Sequence, residues 1–215
     1  MSKFLHITPW RVLSSTITYE DQWLRLRSDH CLTADGIHIN PYHVIEYPDW
    51  VNVVALTHSD LRVVLNREYR HGRSEVLTGL VSGTIERIDA DSGLDAGEAA
   101  ARRELREETG YQGGRFDRIL SSYPNPASHN NQVFSFLALD VEPGDTRSLD
   151  PNEQIDVILE DLSDVLMRLR RGELRMQAMH VAALWSAAVQ IMAGDRVSGA
   201  LRTLRAKLLA LLEAS

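Results

Sequence analysis

Residues 99–111 read AAARRELREETGY, a stretch built for a short helix that carries three glutamates and stops at a glycine. Glu104, Glu107 and Glu108 fall at i, i+3 and i+4, so an α-helix over this stretch projects all three from one face. Like charges at that spacing repel, and a helix gains nothing structurally by stacking them. A hard divalent cation resolves the conflict, because Mg²⁺ or Mn²⁺ is held by carboxylates while keeping waters and a bound phosphate. The alternative is a solvated helix face whose acids are neutralised by Arg102, Arg103 and Arg106, and the triad alone leaves the two readings even. Asp95 followed by Glu98 predicts a capping box at the start of this helix, and Gly110 supplies its stop.

Resemblance separates the two readings. The run Arg103-Glu104-Leu105-Arg106-Glu107-Glu108-Thr109-Gly110-Tyr111 resembles the second half of the Nudix box, G-x5-E-x7-R-E-U-x-E-E-x-G-U with U apolar. The first half departs from that pattern: counting back from Arg103 places Asp95 where Glu is expected and Asp89 where Gly is expected. Gly83 is then the box glycine, with about six extra residues somewhere in 84–94. The resemblance extends over roughly residues 10 to 190, toward the ADP-ribose pyrophosphatase branch. Residues 47–56 and 61–66 resemble its paired early strands, and Arg67-Glu68-Tyr69-Arg70 is similar to its R-Q-Y-R stretch. Leu80-Val81-Ser82-Gly83 stands in the place of its L-P-A-G turn without the proline, and residues 150–155 resemble its acidic D-E-N-E-D-I loop.

What the resemblance implies is specific. The fold is α+β, a Nudix α/β/α sandwich around a mixed β-sheet, with an N-terminal β extension (1–48), a hydrolase domain (49–193) and an additional C-terminal helix (194–215). The cofactor is Mg²⁺, with Mn²⁺ as a substitute, held by Glu104 and Glu108, by Glu107 directly or through water, and by the backbone carbonyl of Ser82. Arg103 orients a box carboxylate, with Asp95 as its expected partner. Glu153, matching the second Glu of the acidic loop, is the candidate general base beside the catalytic Glu107 and Arg103, and Glu160 is the fallback. A solvated loop acid is the competing role for Glu153. Trp50 is a candidate to stack on a nucleobase or to fill the core, and Arg67 and Arg70 either fork onto a diphosphate or rim the sheet. His129 and His180 have no partner spacing that points to zinc.

The implied substrate is a small nucleoside diphosphate, with ADP-ribose, cleaved to AMP and ribose 5-phosphate, in the lead. A dinucleotide or coenzyme A pyrophosphatase is the second enzyme reading. A Nudix-fold module that senses a metabolite without turnover is a third, opposed by the crowded glutamates that a pure binder does not need. A net charge of −7 with no offsetting basic patch argues against nucleic acid as a partner. The single cysteine, Cys31, precludes an internal disulfide and suits a reducing compartment, so a cytoplasmic location is expected. No apolar run approaches ~20 residues, so no membrane partner is expected. The first ten residues lack the apolar core of a signal peptide.

Periodicity gives the coarse layout. Residues 10–30 and 36–48 alternate like strands around a turn at Asp35-Gly36, and strands follow near 51–56, 61–66, 115–121 and 132–141. Helices are predicted near 95–109, 161–171, 177–193 and 196–213. In the last of these, Leu201, Leu204, Leu208 and Leu211 recur at seam spacing, which serves either packing on the parent domain or a coiled-coil dimer. A homodimer is expected, because the resembled branch often dimerises and because of this leucine seam.

Overall fold

The computed structural model describes residues 7–144, 147–149, 154–194 and 199–213. They belong to two units, residues 1–48 with 123–132 and residues 49–122 with 133–215. The first unit is a three-stranded antiparallel sheet of β1 (Arg11–Glu20), β2 (Arg25–Leu32) and β3 (His38–Glu46), in that order. The alternating stretch 10–30 becomes two strands because Asp21 breaks it. The Asp21 carboxylate accepts the backbone N–H groups of Trp23 and Leu24 at 2.8 Å each, closing an Asx turn. Tyr123–Gln132, expected within the hydrolase domain, clusters with this first unit. The Ile45 N–H donates to the Ser128 carbonyl at 2.7 Å, and the Asn130 side chain accepts the Tyr47 N–H at 3.1 Å.

The second unit is a mixed sheet of seven strands between helices, the α/β/α arrangement expected. β10 (Ile155–Asp161), β5 (Arg62–Arg70), β4 (Trp50–Thr57), β9 (Val133–Pro143) and β8 (Tyr111–Ser122) lie in that order, with β4 and β9 parallel and the other pairs antiparallel. β4 reads as a nearly unbroken apolar run because both its faces are covered. Val54 and Leu56 face α3 (Leu162–Arg170), α4 (Ala178–Ala193) and α5 (Ala200–Glu213). Val51, Val53 and Ala55 face α2 (Ala96–Glu104).

β4 and β5 pair at Ala55 and Leu56 and then part. Beyond that point β5 pairs with β6 (Glu75–Gly79), and β4 pairs with β7 (Val81–Thr84). Sequence periodicity missed β6, β7, β10 and the one-turn helix α1 (Arg87–Ala90), all short or polar. The predicted helix 95–109 also changes form part-way. Its α-helical part ends at Glu104, and Leu105–Thr109 wind as a π-turn before Gly110, at φ 74°, ends it. Asp95 caps α2 by accepting the Glu98 N–H at 3.2 Å, but the Glu98 carboxylate turns to Arg102 instead of closing the capping box.

The leucine seam of α5 is spent inside this unit. Leu204, Leu208 and Leu211 are buried against α3 and α4, with Leu201 packed beside them. Asp161 joins the same elements, capping α3 through the Ser163 N–H at 2.8 Å and pairing with Lys207 of α5. Leu208→Ala is therefore expected to destabilise the protein by about 2–5 kcal/mol in urea unfolding. Leu209→Ala, at a 43% exposed neighbour, is expected to change stability by no more than ~0.5 kcal/mol.

Candidate active site

Arg103 organises the acidic turn. Its guanidinium donates to Asp89 through two nitrogens, each at 3.1 Å, to the Thr84 carbonyl at 2.9 Å, to Glu104 at 2.8 Å and to Glu107 at 3.1 Å. Burial works against its charge, but the surrounding carboxylates more than offset that and raise its pKa above the ordinary arginine value. Asp89 is itself buried and also accepts the Glu86 N–H at 2.7 Å. Asp95, the partner expected for Arg103, instead pairs with Arg118, whose hydrogen bond holds its carboxyl below the usual carboxylate range.

This corrects the register of the box. Counting forward from Gly83, the acid after five residues is Asp89, which satisfies G-x5-acid. Thirteen residues then separate Asp89 from Arg103 where the pattern has seven, so the six extra residues follow Asp89. Counting back from Arg103 hid this, because the insertion lies between the two halves. The forward count from Gly83 was the signal available in the sequence.

The three glutamates are handed to different partners. Glu104 and Glu107 lean on Arg103, whereas Glu108 is buried and accepts from the Asn66 side-chain amide of β5. Among the described residues, no three His, Cys, Asp or Glu side chains are gathered into a ready-made metal cage. The donor set is nonetheless right for a hard cation, because every candidate ligand is an oxygen, from the glutamates of the acidic turn or the Ser82 carbonyl of β7. Gly83 adds a close approach: a Cβ there would overlap the Glu104 carboxylate where it now lies, so any larger residue would make that carboxylate move.

On β7, Ser82, Gly83 and Thr84 also line a cavity of about 290 Å³ together with Trp50, Arg70, Gln177 and Met179. One strand thus borders both the acidic turn and the cavity. Trp50 begins β4 opposite Thr84 and is half-buried. Arg70 is half-buried and pairs with Glu68. Arg67 does not join it. β5 is regular, so residues three apart project to opposite faces, and Arg67 is exposed while Arg70 lines the cavity. The two arginines therefore lie on opposite faces of β5.

Gln177 and Met179 were not singled out in the sequence, because nothing local ties the start of α4 to β7. Their neighbour His180 is buried and accepts the Leu80 N–H on Nδ1 at 3.2 Å, pinning the corner that leads into β7. Burial, with the charge of Arg70 adding to it, pushes this imidazole down to about 3, so it is neutral. Glu160, the fallback base, sits on β10 tied to Arg168 at 2.7 Å and lines a different cavity with Arg62 and Asp161. Glu153 lies outside the described residues.

The NUDIX domain family matches residues 47–179, more than half of the chain. The chain belongs to the NUDIX family. It is a NUDIX hydrolase, of the class that acts on pyrophosphate bonds. The family described as nucleoside diphosphate sugar hydrolase N-terminal domain matches residues 10–45. Among curated relatives, the ADP-ribose pyrophosphatase of Bacillus subtilis (strain 168) is 26% identical over 131 residues, 60% of this chain and 67% of that protein. The methanol dehydrogenase activator of Bacillus methanolicus is 24% identical over 128 residues, 59% of this chain and 65% of that protein. The chain thus spans about two thirds of the length of each. A crystal structure of an ADP compounds hydrolase superposes with a TM-score of 0.74 at 22% identity, covering 89% of this chain and 98% of that one, which shows the shared fold.

Asp89 and Asp95 can be told apart by stability. Asp89→Ala removes one partner of a buried ion pair and is expected to cost about 3 kcal/mol in urea unfolding. Asp95→Ala removes an exposed helix cap and is expected to cost about 1 kcal/mol. Equal costs would show that the Asp89–Arg103 pair contributes no more than an exposed helix cap.

Proposed function

We propose that this NUDIX hydrolase uses Mg²⁺, with Mn²⁺ as a substitute, to cleave the diphosphate of ADP-ribose or a related nucleoside diphosphate sugar into a nucleoside monophosphate and a sugar phosphate. The observation that carries this reading is β7, which borders the acidic turn and also the cavity lined by Trp50 and Arg70. Glu104 and Glu108 would hold the ion, with Glu107 and the Ser82 carbonyl as further ligands. When bound, the ion supplies charge neutralisation on the diphosphate and an activated water.

The chain's own residues supply the rest. Arg103 holds the Glu104 and Glu107 carboxylates in place through hydrogen bonds of 2.8 and 3.1 Å. Trp50 offers an aromatic face to a nucleobase, and Arg70 offers a cation to the diphosphate within the same cavity. Glu153 is the proposed general base, on its match to the acidic loop. We place the protein in the cytoplasm, where a reducing environment suits the free, buried thiol of Cys31. We also propose a homodimer. Exposed Trp10, Val12, Tyr19 and Trp23 on the three-stranded unit support an association surface, and a light-scattering mass near twice 24.2 kDa is expected at micromolar concentration.

The test is product chromatography over a panel of ADP-ribose, other nucleotide sugars, diadenosine polyphosphates, NADH, coenzyme A and nucleoside triphosphates. AMP and ribose 5-phosphate are expected from ADP-ribose, faster than products from the rest, and only with Mg²⁺ or Mn²⁺ present. Glu108→Gln is expected to lower turnover at least ~100-fold while ADP-ribose binding survives. A Glu108→Gln enzyme as active as wild type would remove Glu108 from the metal set. Preferred turnover of coenzyme A or a dinucleotide would move the substrate assignment and leave the metal chemistry standing.

A further inference from the structure

Asn66 stands at the middle of β5, with its backbone in register with Val157 of β10 on one side and Gly79 of β6 on the other. Its side chain is 1% exposed and shares a face with Val64, the face covered by α2 and the π-turn. There its Nδ2 donates to Glu108, forty-two residues away in sequence. Its Oδ1 is buried with no hydrogen-bond partner.

Packing does not account for this residue. An apolar side chain on this face would avoid burying an unpaired acceptor, which costs stability. The amide is explained by what its other half does. A carboxylate only accepts hydrogen bonds, so the nitrogen must face it, and the rigid strand then fixes where the carboxylate points. The chemistry of the donor matters equally. Glu104 and Glu107 are oriented by Arg103, a full positive charge, whereas Glu108 receives a neutral dipole from Asn66. A neutral amide orients a carboxylate without itself adding a countercharge.

We propose that Asn66 is a positioning residue for Glu108, presenting that carboxylate from the sheet so that it binds a divalent cation. The proposal rests on the reading of Glu108 as a metal ligand, and the experiment separates the two. Mn²⁺ is titrated into the full-length protein without substrate, and free Mn²⁺ is followed by electron paramagnetic resonance. Wild type, Asn66→Leu, Glu108→Gln and Asn52→Leu are compared, with folding checked by circular dichroism. Asn52 is the control, because it is equally buried in the same sheet but alternates with Val54 toward α4.

Asn66→Leu is expected to weaken Mn²⁺ binding about tenfold, the usual effect of losing a residue that orients a ligand. Asn52→Leu is expected to stay within about twofold of wild type, well under that effect. Should Asn66→Leu not fold, Asn66→Ala removes the same donor without adding bulk and is read by the same titration. Wild-type affinity in the folded Asn66 variant, alongside a loss in Glu108→Gln, would overturn the role of Asn66 and leave the metal reading intact. An equal loss in Asn52→Leu would also overturn it, by showing the effect to be general. Wild-type Mn²⁺ binding in Glu108→Gln would overturn the metal reading and this proposal together.

Discussion

The guanidinium of Arg103 is the contact on which the acidic turn depends. It ties Asp89 of α1, the Thr84 carbonyl of β7 and the glutamates at 104 and 107 to a single planar group. A lysine could not do this, since one ammonium cannot grip a carboxylate through two nitrogens and still reach a carbonyl and two further acids. The arrangement also answers the electrostatic problem posed by the sequence. Crowded glutamates at helical spacing repel, and Arg103 absorbs part of that repulsion for two of the three. The third, Glu108, accepts from the neutral Asn66 amide of β5 instead.

The sheet determines where this turn meets the rest of the unit. β4 and β5 part after one short stretch of pairing, and the β6–β7 excursion fills the gap. That excursion sets Ser82, Gly83 and Thr84 between the acidic turn and the cavity. Its corner is held from the opposite layer by His180, whose ring nitrogen accepts the Leu80 N–H. The π-turn at Leu105–Thr109 further shifts the directions of Glu107 and Glu108 from those of a regular α-helix. One acid can therefore lean on Arg103 while its neighbour turns to β5.

Local signals were read well wherever the physics was local. The helix-forming alanines and the stop at Gly110 follow from residue chemistry, and so do the strands of the first unit. Failures came where a role depended on an unseen neighbour. Asp95 was expected to pair with Arg103 because spacing was counted back across an insertion, and the buried pair is made by Asp89. Sequence alone leaves open whether Arg67 and Arg70 act together, and three residues along a strand reverse the side-chain direction. Asn66, Gln177 and His180 carry no local signature, because what they do is done to elements distant in the chain.

The sequence by itself determined the family, the glutamate turn and the strand at β4, because each is written in short-range spacing or in a β-branched, mostly apolar run. Only the tertiary structure decided which acid Arg103 grips, which arginine lines the cavity and that the α5 leucines are consumed within their own unit. The reason is physical. Hydrogen bonds and ion pairs are short-ranged and directional, so their partners depend on the packing of elements that lie far apart in the chain.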